Sequence, residues 1–399
     1  MQVVNRGTIG ILTGGGDVPG LNPAIRAVTI RAIQDGFNVI GIKNGWEGLI
    51  NIDRNKKVEE QDYCIVLDKV GVSKIARRGG TFLHSSRTNP VKVKKNKVPH
   101  HLKDQFNADI NDLTPEVLKN LEHLNINCLI PIGGDDTLSY GVHLHNQGFK
   151  VVAIPKTMDN DIPGTDYCIG FSTCITRTVE LAHQLRTCAG SHERFLVMEA
   201  FGRYAGYTAL IPTMAGAANR CVIPEHKFDI RRLTELLVDD RKRDPSHYSI
   251  VIVSEGAMFE GSNDMVFLNE ETDGFGHKKL GGIGDVVSQQ LKKLSSEFNN
   301  GKEIDTINQR LGYLVRSGNP DAVDSVAAMA FGNVALNLIE SGKFGRMVCL
   351  RNGRYENVPI NIVTSCKKIV DVHKFYDTER YRPIYTNFED RPLWVMTSD

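Results

Sequence analysis

No Cys-x-x-Cys pair occurs among the eight cysteines of this 399-residue chain. That removes the common spacing of structural zinc and dithiol redox sites. The cysteines are scattered, mostly in apolar contexts such as Cys128 and Cys349, which is the pattern of reduced, buried thiols in a cytosolic protein. Charge of one sign is lacking too: the net charge is +1, so neither nucleic acid nor an anionic membrane surface is attracted to the chain as a whole. The basic run Lys92 to Lys97 reads as a solvated loop. No stretch is read as the roughly 18 uncharged apolar residues of a membrane span. No signal peptide is expected at Met1, because an apolar strand and a glycine loop begin almost at once. The expectation is a soluble, cytoplasmic protein. Neither an internal repeat nor a low-complexity tract stands out.

What is present is the composition of an ordinary globular protein, 41% apolar and 24% charged, in a chain too long for one core. Gly7 to Thr13 reads as a strand, Gly14 to Gly20 as a glycine-rich turn, Leu21 to Gln34 as a helix stopped by Gly36, and Phe37 to Ile42 as a second strand. Leu49 to Val70 looks irregular, Arg77 to Pro90 is a loop, and Val91 to Leu113 an inserted excursion. Thr114 suits a helix N-cap before Pro115-Glu116. Cys128 to Ile132 and Val151 to Ile154 are apolar runs of strand length, joined by one crossover helix over Asp136 to His145. A second alternating series follows: helix 172–189, strand Phe195 to Glu199, helix 203–215 and strand Ser249 to Ser254. The long helix 321–341 and strand Met347 to Leu350 then return to the first unit. The fold class is α/β with two doubly wound, Rossmann-like domains. The expected division is 1–171 plus 320–367, and 172–319 plus 368–399.

Two acidic clusters carry the chemistry. Gly133-Gly134-Asp135-Asp136-Thr137 follows one strand, and Pro155-Lys156-Thr157-Met158-Asp159-Asn160-Asp161 the next. A strand–helix–strand unit brings both to the same edge of a parallel sheet, where open α/β folds bind ligands. Carboxylates crowded together repel unless a cation or a proton sits among them, which points to metal-assisted chemistry. Asp159 and Asp161, two apart, face one way in extended backbone. One can take a proton from an attacking hydroxyl while the other holds Mg2+, and Lys156 neutralises a transferring phosphate. The plain alternative is a turn capped by Asn and Asp. The first glycine turn, with Gly15 at its centre, can bring backbone N–H groups and a helix N-terminus to a phosphate. It is not a P-loop, since Gly-Lys-Ser/Thr is absent. Nor is it a dinucleotide fingerprint, because Gly41-Ile42-Lys43-Asn44 stands where a ribose-binding acid belongs. Arg87, at the end of Arg77 to Arg87, can bridge two phosphoryl groups bidentately. His100-His101 and His143/His145 lack the spacing and acid partner of a zinc site.

These residues resemble the phosphofructokinases. The likeness runs through Gly-Gly-Asp-x-Pro-Gly-x-Asn at 15–22, Gly-Gly-Thr-x-Leu-x-Ser-x-Arg at 79–87, Gly-Gly-Asp at 133–135 and Thr-x-Asp-Asn-Asp at 157–161. It continues through Ser191-His192-Glu193-Arg194, Gly202-Arg203-Tyr204-Ala205-Gly206, Ser254-Glu255-Gly256 and Leu311 to Arg316. The resemblance implies that Asp159 is the general base on the sugar 1-hydroxyl and that Lys156, Thr157 and Asp161 complete the transfer site. Asp135 then carries Mg2+, and Gly15, Arg87 and Asp136 meet the phosphoryl donor. Phe201, Gly202, Arg203 and Glu255 resemble sugar-phosphate contacts. Arg194, Tyr313 and Arg316 resemble the 6-phosphate clamp, part of which a neighbouring subunit supplies in the family, so a homodimer or homotetramer is expected.

The donor rests on two positions. ATP-dependent members typically carry glycine where this chain has Asp136 and Lys156. An aspartate repels a nucleotide's α-phosphate, while a lysine holds the free end of a short diphosphate. The pair resembles the pyrophosphate-dependent branch, although some ATP users also have that lysine. The reading is a Mg2+-dependent, reversible transfer from pyrophosphate to fructose 6-phosphate. The alternatives are an ATP-dependent enzyme, a kinase of another sugar phosphate such as sedoheptulose 7-phosphate, and a silent sugar-phosphate or nucleotide sensor. Departures from the family pattern keep the sugar open: Phe201 for Met, His84 for Gly, Val315 and Ser317 near the clamp, and Ile307 for an arginine, with Arg310 near.

Overall fold

The computed structural model describes residues 6–272, 278–386 and 388–389. Residues 1–5, 273–277, 387, 390 and 391–399 of the expected division lie outside them. The chain opens with strand β1 (Thr8–Thr13), helix α1 (Leu21–Gln34), strand β2 (Asn38–Ile42) and a short β3 (Cys64–Val66). β4 (Ile126–Gly133), α2 (Asp135–Asn146) and β5 (Val152–Pro155) form the crossover unit. The second series is α3 (Phe171–Ser191), β6 (Phe195–Ala200), α4 (Tyr207–Met214), β7 (Arg220–Val222), α5 (Ile230–Arg243), β8 (Ser249–Ser254), α6 (Ile283–Phe298) and β9 (Thr306–Arg310). α7 (Ala322–Glu340), β10 (Arg346–Arg351) and β11 (Arg354–Pro359) lead back.

A seven-stranded sheet runs β11-β10-β5-β4-β1-β2-β3, and a four-stranded sheet β9-β6-β8-β7. Pairing is parallel throughout except for β3 and β11, the two edges of the larger sheet. Side chains of the central strands alternate between two cores. Ile9, Ile11, Ile130, Ile132, Val152 and Ile154 enter one core; Leu12, Leu129, Val151 and Ala153 enter the other. Two covered faces explain why these strands read as continuous apolar runs. The α/β reading holds.

The differences from expectation are local. Leu49 to Val70, read as irregular, contains β3, a three-residue strand too short to show a period. β11 was not anticipated, although its Asn352-Gly353 turn, with φ of 49° and 73°, is a strong hairpin signal. Helix 203–215 begins four residues late, at Tyr207, because Gly202 has φ 119° and a Cβ there would lie 2.7 Å from the Ala205 carbonyl. Thr114 is the first helical residue and not the cap: Leu113 holds the cap position and the Asp112 carboxylate accepts the Thr114 N–H at 2.8 Å. Helix α7 has the length and composition of a membrane span, contrary to the reading of the sequence. It is a core helix: α1 packs along it, and a Cβ at Gly332 would stand 2.9 Å from Ala27.

Candidate active site

Register places the chemistry. β4 and β5 pair with Gly133 opposite Pro155, and β1 meets β4 with Thr13 opposite Ile132. Three neighbouring strands therefore end level, and the glycine loop, the Asp135-Asp136 turn and the Lys156–Asp161 loop emerge side by side. In the smaller sheet, Ala200 of β6 pairs with Ser254 of β8, and Glu199 with Arg310 of β9. Those ends deliver Phe201 and Arg203, then Glu255, then Tyr313 to Arg316. One cleft is lined from both sheets by Gly15, Gly16, Arg87, Asp135, Asp136, Lys156, Thr157, Asp159, Asp161, Phe201, Arg203, Glu255 and Arg316. Drawn from segments up to 301 residues apart in sequence, they meet because parallel strands present all their carboxyl ends to one edge.

Asp159, Asp161 and Glu255 line this cleft together. Burial, then Glu255 and Asp135, push the Asp159 carboxyl upward, against Arg316 and Arg203. Burial, then Asp159 and Asp135, push Asp161 upward as well. Glu255 is pushed to about 7 by burial, with Arg203 opposing. The two aspartates do not face one way through extended backbone, as their spacing suggested. Asn160 between them has φ 54°, and this turn sets their relation. Asn160 tolerates the left-handed region where a β-branched residue would not; its role went unread although it lies inside the quoted motif. One oxygen of Asp159 is enclosed without a hydrogen-bond partner.

Cations line the same cleft. The Lys156 ammonium, 3% exposed, donates to the Gly16 carbonyl at 2.6 Å. Burial, then the nearby Arg316 and Arg87, push it down to about 7. Arg316 donates through Nε and Nη2 to the Asp17 carbonyl at 3.0 and 2.8 Å. Its guanidinium lies 5.6 Å from the Phe201 ring centre and 5.7 Å from that of Tyr313. A Cβ at Gly16 would come within 1.9 Å of the Arg316 guanidinium, so a larger residue there would displace that group. The anion-cradle reading of this loop needs amending. The Gly14 and Gly15 N–H groups donate to Ile132 and Ser86 carbonyls at 3.0 Å each, and α1 starts only at Leu21, beyond Val18-Pro19-Gly20. Side-chain cations, not that helix terminus, supply the positive charge.

Mg2+ prefers one or two carboxylates, substrate phosphates and its own waters to an all-protein cage. Among the described residues no group of three or more His, Cys, Asp or Glu is disposed to hold a metal ion. Asp135 is exposed at the first turn of α2, with Asp159 and Asp161 close enough to repel it. An open carboxylate beside two buried acids fits an ion that arrives with a phosphorylated donor. His143 and His145 are occupied by Thr114 and by the Phe149 carbonyl.

A family model described as Phosphofructokinase matches residues 8–339. The chain belongs to the phosphofructokinase family. A pyrophosphate–fructose 6-phosphate 1-phosphotransferase of Streptomyces coelicolor is 39% identical over 365 residues, 91% of this chain and 96% of its own length. The ATP-dependent 6-phosphofructokinase 3 of the same organism is 37% identical over the same shares. A solved pyrophosphate-dependent phosphofructokinase of Nitrosospira multiformis superposes with TM-score 0.69 at 16% identity, covering 98% of this chain and 96% of that one; this shows a shared fold.

Within this phosphofructokinase, three of the expected site residues lie off the cleft wall. Gly202 is buried in the turn behind Phe201, where it accepts the Gly256 N–H at 3.1 Å. Tyr313 is 73% exposed and stacks on Arg316 from outside. Arg194 stands apart, near Lys292 and Asp305. Val18, Met158 and Tyr204 line the cleft without having been singled out, although each lies inside a quoted motif and next to a named site residue or site loop.

Proposed function

We propose that this phosphofructokinase transfers a phosphoryl group from pyrophosphate to the 1-hydroxyl of fructose 6-phosphate, giving fructose 1,6-bisphosphate and phosphate. The observation that carries the donor assignment is that Asp136 and Lys156 line one cleft from adjacent strand ends. Asp136 opposes the α-phosphate of a nucleotide. Lys156, on which Arg87 and Arg316 act more strongly than the nearby Asp17 and Asp135 carboxylates, makes with them a cationic seat for a diphosphate. Residues 1–171 with 320–367 form the donor half in this reading, and 172–319 with 368–399 the sugar-phosphate half. Asp135 would hold Mg2+, which neutralises phosphoryl charge when bound. Asp159 removes the hydroxyl proton; Thr157 and Asp161 shape the turn around it. Arg203, Glu255 and Phe201 meet the sugar, and Arg194 of a neighbouring copy completes the 6-phosphate site in a homo-oligomer. Positioning and charge neutralisation do most of the work, because the phosphoryl group moves with little covalent help.

The decisive assay is product formation by purified protein with Mg2+ and fructose 6-phosphate, with pyrophosphate and ATP in parallel. Pyrophosphate should be used about 100-fold better or more. Faster turnover with ATP would replace the donor assignment with that of the 37% identical relative's name. Sedoheptulose 7-phosphate belongs in the same assay, since Phe201 stacks on Arg316 where the sugar lies. A protein that binds sugar phosphate without turnover is a sensor.

A narrow pH profile follows from the two sets of groups. Asp159 is a base only when deprotonated, so kcat/KM falls as pH drops through its raised value. Lys156 holds an anion only when protonated, so kcat/KM falls again as pH rises through about 7. At saturating pyrophosphate the anion keeps Lys156 charged, and the alkaline limb of kcat should move upward. Parallel kcat and kcat/KM profiles check this; identical alkaline limbs would remove Lys156 from donor binding.

A further inference from the structure

Lys368 lies outside every motif described above, yet the residue is only 5% exposed. Its ammonium donates to the Thr165 carbonyl at 2.8 Å and to the Asp166 carbonyl at 3.1 Å. The Asp166 carbonyl also accepts Nδ2 of Asn160 at 3.0 Å, and Oδ1 of Asn160 accepts the Cys168 N–H at 2.9 Å. One carbonyl oxygen is thus shared between a buried cation and the left-handed residue that separates Asp159 from Asp161. Thr165 is fixed from behind, its hydroxyl accepting the Leu350 N–H at 3.1 Å. The Tyr207 ring stands 5.4 Å from the ammonium, and the Tyr207 hydroxyl donates to the next carbonyl, of Ile369, at 2.6 Å.

On its open side Lys368 lines a cavity of about 330 Å³ together with Asp135, Asp161 and Tyr204. These three also line the catalytic cleft, so the two spaces adjoin at the acids. Burying an ammonium is expensive unless it is paired. Two carbonyls alone can be satisfied by a neutral donor; a cation beside Asp161 is what the charge adds.

We propose that Lys368 is a positioning residue for phosphoryl transfer. It clamps the Thr165–Asp166 peptide against which Asn160 sets the Asp159–Asp161 turn, and so makes the C-terminal segment part of the catalytic machinery. The turnover arm of the test rests on the proposed reaction; the structural arm does not.

The test compares Lys368→Met and Lys368→Arg in the full chain, with Asn160→Ser breaking the same link from its other end. For Lys368→Met, kcat should fall about 100-fold, the scale of an ångström-sized misplacement, with both KM values within about 3-fold. Lys368→Arg, which keeps charge and donors, should regain most of the loss. Backbone amide exchange of residues 157–168 should quicken in Lys368→Met while that of strand Phe195–Ala200 stays unchanged. Turnover per folded molecule within about 3-fold of wild type, a loss confined to KM, or unaltered exchange at 157–168 overturns the proposal. If Lys368→Met does not fold, Asn160→Ser decides: a folded Asn160→Ser with full turnover or unaltered exchange at 157–168 overturns it. A wild-type protein inactive with both donors removes the proposed reaction alone; the exchange measurement then decides this inference.

Discussion

Asp159→Ala should lower kcat by about 10²- to 10⁴-fold, the usual contribution of a positioned general base, and leave KM for both substrates nearly unchanged. The reason lies in the site's geometry. Asp159 lies in the cleft near Glu255, Arg316, Asp135 and Arg203, where in the proposed reaction an attacking hydroxyl meets a phosphoryl group. Its upward-shifted carboxyl is better matched to proton abstraction near neutrality than an ordinary aspartate. Steady-state kinetics check this, and activity retained in Asp159→Ala removes it from the base role.

The same environment makes a stability prediction for Asp159→Asn. Asp159 has a raised value in the folded protein, so its ionisation opposes folding. That penalty is absent below the unfolded value near 3.8, grows as pH rises, and is complete above the folded value. Asp159→Asn should therefore melt higher than wild type at pH 8, with the difference shrinking as pH falls. Thermal melts at the two ends of that range measure it; an Asn variant that melts lower throughout would mean that the acids support one another through interactions other than their charge.

Asp136→Gly combined with Lys156→Gly should admit ATP and weaken pyrophosphate use by orders of magnitude. Removing Asp136 takes away a negative charge from the first turn of α2. Removing Lys156 deletes the ammonium on Gly16 and relieves Arg87 and Arg316 of its repulsion. Both changes enlarge the donor side and leave Asp159, Asp161 and the sugar contacts in place. Each donor's kcat/KM is the readout. Continued exclusion of ATP while pyrophosphate turnover persists would show that neither side chain enforces the choice.

The acidic clusters were legible in the sequence because each directly follows an apolar strand, and strand ends on one edge of a parallel sheet must lie together. Glu255, Arg203 and Phe201 were legible only through family resemblance, since nothing local to Ser254-Glu255-Gly256 says what it faces. The turn at Asn160 escaped because a period-two reading assumes extended backbone, and a left-handed residue breaks that period. Lys368 escaped for a different reason: in sequence it is one of two lysines in a polar stretch, and only packing buries one and exposes the other. β3 is too short for pattern, and β11 was missed despite its Asn-Gly turn.

Local rules acting on the chain alone were enough for the α/β class, most strand and helix positions, the acid pairs and the candidate basic residues Lys156 and Arg87. Strand propensity, helix period and turn chemistry act over a few residues, and these features need no more. The tertiary fold alone decided which charges meet. It set Lys156, Arg87 and Arg316 close enough to repel, placed Glu255 against Asp159, left Arg194 outside its own cleft, and laid Lys368 behind the catalytic turn. Electrostatic and steric coupling depends on distance in space, and sequence separation carries no information about it until the two sheets have packed.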